Sequence, residues 1–188
     1  MLRCQGHNAR VADINPIDNQ PDDVDVELAQ LLGNAGSDPL EDPATLRALG
    51  KLRLKLGQDV LFVSRFEGGS RILELVESEP GVVSFLQGTS EQLERSWCYS
   101  VATGRLPELV LDAQGWIDSG VVAPAALPIG THLSTPIRLK DGAVFGMLCA
   151  FSSRVVDRST TSDLQRLRLA AQALGERLSR LNRDKARH

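Results

Sequence analysis

The chain reads as an α+β domain, a mostly antiparallel sheet covered by helices. Three observations predict this. First, β-type runs come in pairs, "DVLFVSRF" with "RILELVES" and "THLSTPIRL" with "AVFGMLCAF", and each pair is joined by a short turn carrying glycine, the pattern of an antiparallel hairpin. Second, the last strand of the later pair is apolar on both faces, so both sides of the sheet need cover. Third, helical periodicity brackets the hairpins, in a segment opening at Pro43 and in the last thirty residues.

Taken in order, residues 11 to 46 hold no Lys or Arg but nine acidic side chains, together with Pro16, Pro21, Pro39 and Pro43. This is an acidic leader of weak structure, residues 1–42, in which "VDVELAQLL" can form a short helix with Val24, Leu28 and Leu31 on one face. A helix then begins near Pro43 with Asp42 as its N-cap, runs through Leu46, Leu49 and Leu56, and stops at Gly57. The first hairpin turns at Glu67-Gly68-Gly69-Ser70. Thr89 or Ser90 caps a helix over "EQLERSWCYSVATG" that closes at Gly104, and Pro107 to Leu111 is a short extended segment.

A long connection follows, "AQGWIDSGVVAPAALPIG", with one helical turn at most. Connections of this length in a small domain are usually functional loops or pocket walls. The second hairpin has Thr131–Leu139 and Ala143–Phe151 as its strands and turns at Lys140-Asp141-Gly142. Alternation puts Leu133, Thr135, Ile137 and Leu139 on one face of its first strand and His132, Ser134, Pro136 and Arg138 on the other. In the second strand, Phe145, Met147, Cys149 and Phe151 oppose Val144, Gly146, Leu148 and Ala150, as in a central strand. Pro136 donates no ladder bond and predicts a bulge or an unpaired position beside it. The final helix, capped within Ser159 to Ser162, carries Leu164, Leu167, Ala171, Leu174, Leu178 and Leu181 at 3-4 spacing. This stripe is longer than a sheet cover requires, so its half around Leu174 to Leu181 is expected to pair with a second chain. The competing reading is an ordinary amphipathic C-terminus.

Length and composition limit function. The 188 residues, 42% hydrophobic, suffice for one domain with extensions. A net charge of −3, with no basic patch interleaved with aromatics, excludes an electrostatic footprint for nucleic acid. Cys4, Cys98 and Cys149 are an odd number without metal-type spacing, and imply reduced thiols in a cytoplasmic protein. Cys4 and His7 form a C-x-x-H pair that cannot by itself close a tetrahedral metal site. No signal peptide or membrane-spanning run is present.

With that element order, the sequence resembles the GAF domain family of small-molecule sensors over about residues 43 to 180. "WCYSVATGRLPELVLDA" is similar to the helix-to-strand segment of a bacterial GAF subgroup. "LPIGTHLSTPIRLKDGAVFGMLCAF" is similar to that subgroup's final hairpin, with Met147 where Thr is common. The resemblance implies a central antiparallel sheet of five or six strands, terminal helices on one face, and a pocket formed by helix and loops on the other. With the C-terminal helix included, the domain is expected to span residues 43–183, followed by a tail at 184–188. The resemblance further implies a sensory or regulatory role in signal transduction, and the Leu164 to Leu181 stripe adds the expectation that the chain acts as a homodimer through its C-terminal helix. Members of such subgroups are often attached to output domains that make or degrade cyclic di-GMP, or to histidine kinases. Here the chain closes in "NRDKARH", as a free-standing GAF protein or as a piece of a longer one.

The chemistry follows residue by residue. Trp97, Asp112, Trp116, His132 and Ser134 are the expected ligand-lining set, since an aromatic surface and a few polar groups orient a small ligand. The competing reading makes His132 a hydrogen-bonded strand residue, Asp112 a turn cap and Trp116 core. Bilin attachment at Cys98 is not expected, because Tyr99 follows it where phytochrome-like domains have histidine. No cofactor and no metal are therefore expected. No Ser-His-Asp set, carboxylate pair or phosphate loop emerges, so the chain is expected not to be an enzyme. Two alternatives stay open. One is a ligand-free dimerisation scaffold, its pocket filled by Trp97, Trp116 and Phe85. The other is a GAF-fold thiol reductase of the free methionine sulfoxide type using Cys98 and Cys149, although a mid-helix and a mid-strand thiol lack obvious activation.

Overall fold

The computed structural model of the protein describes Asp25, Leu28, Gln30 and Leu32, residues 38–82 and residues 87–185. Local capping fixes the first helix where the sequence predicts it. In α1 (Pro43–Leu56) the Asp42 carboxylate accepts from the Ala44 amide at 2.9 Å and Gly57 ends the helix. Strands β1 (Val60–Glu67) and β2 (Ser70–Ser78) follow as a hairpin. Its turn is only two residues, Gly68 and Gly69, at φ 56° and 78°. Both angles are left-handed, as the tightest hairpin turn demands, which is why glycine occupies both positions and the strands extend into Glu67 and Ser70.

After β2 come β3 (Ser90–Gln92), a single 3-10 turn at Leu93–Arg95, and α2 (Trp97–Ala102). The helix expected from Ser90 onward is therefore corrected. Ser90 pairs with Ile72 at the sheet edge, and the helical N-cap is Ser96, whose hydroxyl accepts from the Tyr99 amide at 3.1 Å. The chain continues through β4 (Leu109–Val110), α3 (Gln114–Asp118), β5 (Thr131–Arg138), β6 (Val144–Ser152) and α4 (Thr161–Lys185). Thr160 and Asp163 cap α4 reciprocally, the Thr160 amide donating to the Asp163 carboxylate at 2.9 Å and the Asp163 amide to the Thr160 hydroxyl at 3.3 Å.

The sheet has six strands in the order β3-β2-β1-β6-β5-β4, all paired antiparallel. This is the expected α+β class with a sheet of five or six strands, and β6 is central. The short strands β3 and β4 form the edges, which limits unpaired backbone. Ser134 donates its amide to Glu108 on the β4 side, so by alternation the nitrogen of Pro136 faces the same side, past the end of β4. Proline costs no ladder bond there. The irregularity it predicts lies one residue on, between Ile137 and Arg138, where Phe145 is an extra residue in β6. That bulge reverses the alternation, and Phe145 packs with the helix-side core instead of joining Met147, Cys149 and Phe151.

Two apolar layers result. On one face α1 and α4 cover Leu61, Val63, Leu75, Leu133, Ile137, Leu148 and Ala150. Leu28 and Leu32, within the stretch read as leader, join this core, and Asp25 receives Lys55 at 2.8 Å and Arg166 at 3.1 Å. Val24 and Leu31 lie outside the described residues, as do Cys4, His7 and Phe85. Arg177 of α4 is buried and donates to Thr45 at 3.0 Å and to Asp42 at 2.6 Å, locking the two helices together. The α4 stripe is not free as far as Leu178: Leu164, Leu167, Ala171, Leu174 and Leu178 are all buried in the chain's own core, and only Leu181 is half-buried. The expected seam at Leu174 and Leu178 is thus an intrachain contact, because α4 lies along β5 for most of its apolar length.

Candidate functional site

The opposite face of the sheet carries the polar groups. It is walled by α2, α3 and the connection from Asp112 to Gly130, around Phe62, Leu73, Trp97, Val110, Met147, Cys149 and Phe151. The connection is pinned at its ends, since the Ala113 amide donates to Gly130 at 2.8 Å and the Gly130 amide to Ser152 at 2.8 Å. It is pinned in the middle by Trp97, whose indole N–H donates to the Ala123 carbonyl at 3.0 Å. A segment whose ends meet on the sheet is a wall that can shift without unravelling its anchors.

The structure brings together three of the five residues expected to line a pocket. Trp97 and His132 meet edge to face with ring centroids 5.5 Å apart, and Ser134 is buried two residues along β5 from His132. Trp116 is half-buried and packs against the same apolar layer from α3. Asp112 is apart from them, exposed, and accepts from the Gln114 amide at 3.0 Å.

His132 is 2% exposed, and its Nδ1 has no hydrogen-bond partner among the described residues. Burial, and secondarily the positive charge of Arg71, push its pKa down to about 4 from an ordinary 6.5. The imidazole is therefore neutral in the folded protein at pH 7, whereas the unfolded chain takes up a proton near pH 6.5. The unfolded state thus binds more protons between about pH 6.5 and 4. Stability contributed by His132 is complete above pH 6.5 and is lost as pH falls to about 4, by roughly 3 kcal/mol at most. Denaturant titrations of wild type and His132→Phe at pH 7.5, 5.5 and 4.5 check this, with the wild type expected to lose stability relative to the variant as the pH drops. Equal slopes would rule it out.

Two cysteines face each other in the same layer. Cys98 Sγ and Cys149 Sγ are 3.3 Å apart, both thiols are free, and they are 1% and 0% exposed. The later start of α2 makes Cys98 the second residue of the helix, not a mid-helix residue. Arg71, half-buried on β2, places Nη1 3.9 Å from Cys98 Sγ, pairs with Glu91 at 2.8 Å, and holds its guanidinium 5.5 Å from the Phe62 ring centre. The Cys98 pKa is lowered, chiefly by its hydrogen bond with Cys149 and, against the cost of burial, by the charge of Arg71 and contacts with Ser64 and Arg71. The Cys149 thiol is pushed up by burial and by Cys98, while its contact with Ser134 Oγ at 3.0 Å works the other way.

Sequence reasoning did not single out Arg71 or Ser64. The legible signal was parity, since Arg71 shares a face with Leu73, but the position of Cys98 above them depended on where α2 begins. Among the described residues, no group of three His, Cys, Asp or Glu side chains could hold a metal ion, and no helix is long and apolar enough to cross a membrane.

No family model matches the sequence, and no curated protein matches it. Solved structures do. The GAF domain of an Acinetobacter phosphoenolpyruvate-protein phosphotransferase is similar at a TM-score of 0.67 and 14% identity, over 86% of this chain and 93% of that one. The phycocyanobilin-bound GAF domain of a cyanobacterial phytochrome is similar at 0.66 and 12% identity, over 86% and 94%. The free methionine-R-sulfoxide reductase of Neisseria meningitidis, solved with its substrate, is similar at 0.64 and 17% identity, over 85% and 89%. This last likeness corrects the expectation that the chain is not an enzyme. The fold supports catalysis in at least that protein, and a thiol site such as Cys98 beside Arg71 requires neither a triad nor a carboxylate pair. These likenesses carry the architecture and not the subgroup joined to cyclic di-GMP or kinase output domains. The six-stranded sheet, the helices on one face and the walled polar layer on the other are those of a GAF domain, and the protein has the GAF fold.

Proposed function

We propose that this is a cytoplasmic sensory or regulatory domain that binds a small molecule, noncovalently, on the sheet face beneath the Asp112–Gly130 connection. The observation that carries this reading is the unpartnered Nδ1 of His132, buried beside Trp97 and Ser134. A buried polar atom without a partner is costly, and a ligand group that supplies the partner recovers that cost. The Trp97–Ala123 hydrogen bond gives the mechanism its latch. A ligand that prefers one arrangement of the connection shifts its population and passes that shift through the sheet to α4 and any output partner. Dimerisation, where it occurs, uses a surface other than the buried Leu174 and Leu178. Cys98 is packed against Cys149, so covalent bilin attachment is not part of this reading.

Native and denaturing mass spectrometry of the freshly purified protein tests it, followed by a metabolite thermal-shift screen. The chain has two tryptophans, and Trp97 and Trp116 both stand at this face, so their fluorescence reports occupancy directly. A ligand lost on denaturation, or a raised melting temperature with altered tryptophan emission, is expected. His132→Phe is expected to abolish the response. A response that survives His132→Phe unchanged places the ligand elsewhere.

A further inference from the structure

We infer that Cys98 and Cys149 are a redox-active dithiol that a small hydroperoxide converts to a disulfide, with Cys98 the attacking thiol and Cys149 the resolving one. The inference stands on geometry and does not depend on what binds above the sheet. The two sulfurs lie 3.3 Å apart across the α2–β6 contact, about 1.3 Å longer than a disulfide bond. Closure therefore needs a small shift of α2, a short helix joined to the sheet through loops, and no rearrangement of β6.

The environments of the two sulfurs assign their roles. Arg71 aims a guanidinium nitrogen at Cys98 Sγ at 3.9 Å, and this cation favours the thiolate, the nucleophilic form. Cys149 sits in the centre of the sheet against Ser134 Oγ at 3.0 Å. Burial among apolar neighbours keeps its proton on, as suits a thiol that attacks only after Cys98 has been oxidised. In the first step the Cys98 thiolate attacks the outer oxygen of the hydroperoxide. An S–O bond forms, the O–O bond breaks, and its electron pair leaves with the alkoxide, which takes up a proton to give the alcohol, or water when the oxidant is hydrogen peroxide. In the second step Cys149 Sγ attacks the Cys98 sulfenic acid, the S–O bond breaks, and the hydroxyl departs as water with the Cys149 proton. The dithiol has lost two electrons and the peroxide has gained them. A reducing dithiol reverses the change by exchange.

Near-complete burial of both thiols sets the selectivity. A hydroperoxide as small as hydrogen peroxide can reach Cys98 through fluctuations of the Asp112–Gly130 wall, whereas a bulky thiol reagent cannot do so at a comparable rate. The test uses the full chain with Cys4→Ser, so that only the pair reports. Protein is treated with hydrogen peroxide, quenched, denatured, alkylated and digested without reduction. The expected result is one peptide pair linked through Cys98 and Cys149, with both thiols lost together and both recovered with dithiothreitol. In Cys149→Ser, Cys98 is expected to accumulate as sulfenic acid trapped by dimedone. In Cys98→Ser, Cys149 is expected to stay reduced. Arg71→Gln is expected to slow oxidation about tenfold at neutral pH without abolishing the link. The inference is overturned if both thiols remain alkylatable after peroxide treatment, or if Cys149 oxidises equally well without Cys98. Should a cysteine variant fail to fold, the peptide map of the Cys4→Ser protein decides alone.

Discussion

Replacing Gly146 with alanine is expected to cost about 3 kcal/mol or more and to leave little folded protein at 37 °C. A Cβ built on Gly146 falls 1.8 Å from the Ser64 carbonyl oxygen and 2.7 Å from its carbon. Both are backbone atoms of β1, so no rotamer change relieves the clash, and the two central strands must separate. Gly146 pairs with Arg65 in β1 and with Ile137 in β5, next to the bulge at Phe145, so the strain falls where the ladder is already irregular. Gly115→Ala in α3 is the matched control, because its Cβ meets nothing within 4 Å, and it is expected to lie within about 0.5 kcal/mol of wild type. Urea midpoints of the three proteins measure the difference. A Gly146→Ala protein within about 1 kcal/mol of wild type would mean that β1 and β6 leave room for a methyl group beside the Ser64 carbonyl.

Leu174→Asp is expected to unfold the domain. Leu174 is 1% exposed in the layer between α4 and the sheet. Removing a buried leucine side chain costs about 2–5 kcal/mol, and an unpaired carboxylate in the same place adds several more. The total is comparable with the whole stability of a domain of this size. The informative comparison is with an interchain seam. If Leu174 served a second chain, the variant would remain a folded monomer, with native near-ultraviolet circular dichroism and a smaller hydrodynamic size. Loss of the folded signal independent of protein concentration is the expected result, and a well-folded monomer would restore the seam.

Much of the architecture was legible because it rests on local rules. Asp42 and Gly57 bound α1 by side-chain capping and backbone handedness. The two-residue Gly68-Gly69 turn forces its strands into antiparallel pairing. Alternation placed His132 and Ser134 on the face opposite Leu133 and Ile137, and that is where they are. The misreadings share a cause, which is competition between local signals that only long-range pairing resolves. Thr89 and Ser90 look like helix caps, but Ser90 to Gln92 pair with β2, and the helix waits for Ser96. The Leu164 to Leu181 spacing suits a coiled coil and a sheet cover equally, and the sheet takes it as far as Leu178. A bulge at Phe145 reverses a parity that was sound up to that point.

An α+β domain with two hairpins, a central apolar strand, a helix on either side in the chain and a polar row on β5 can be read from the order of residues alone. These follow from periods of two and of about 3.6 residues and from glycine and cap chemistry, none of which needs a partner distant in the chain. Trp97, His132 and Ser134 were legible as members of the candidate site, whereas the meeting of its two thiols with Arg71 came from the tertiary structure. Cys98 and Cys149 are 51 residues apart in sequence and 3.3 Å apart in space, and Arg71 reaches Cys98 from 27 residues away. No periodicity encodes such a meeting. It depends on which strands become neighbours and on where α2 begins, and both are set by the burial of two apolar layers on opposite faces of one sheet.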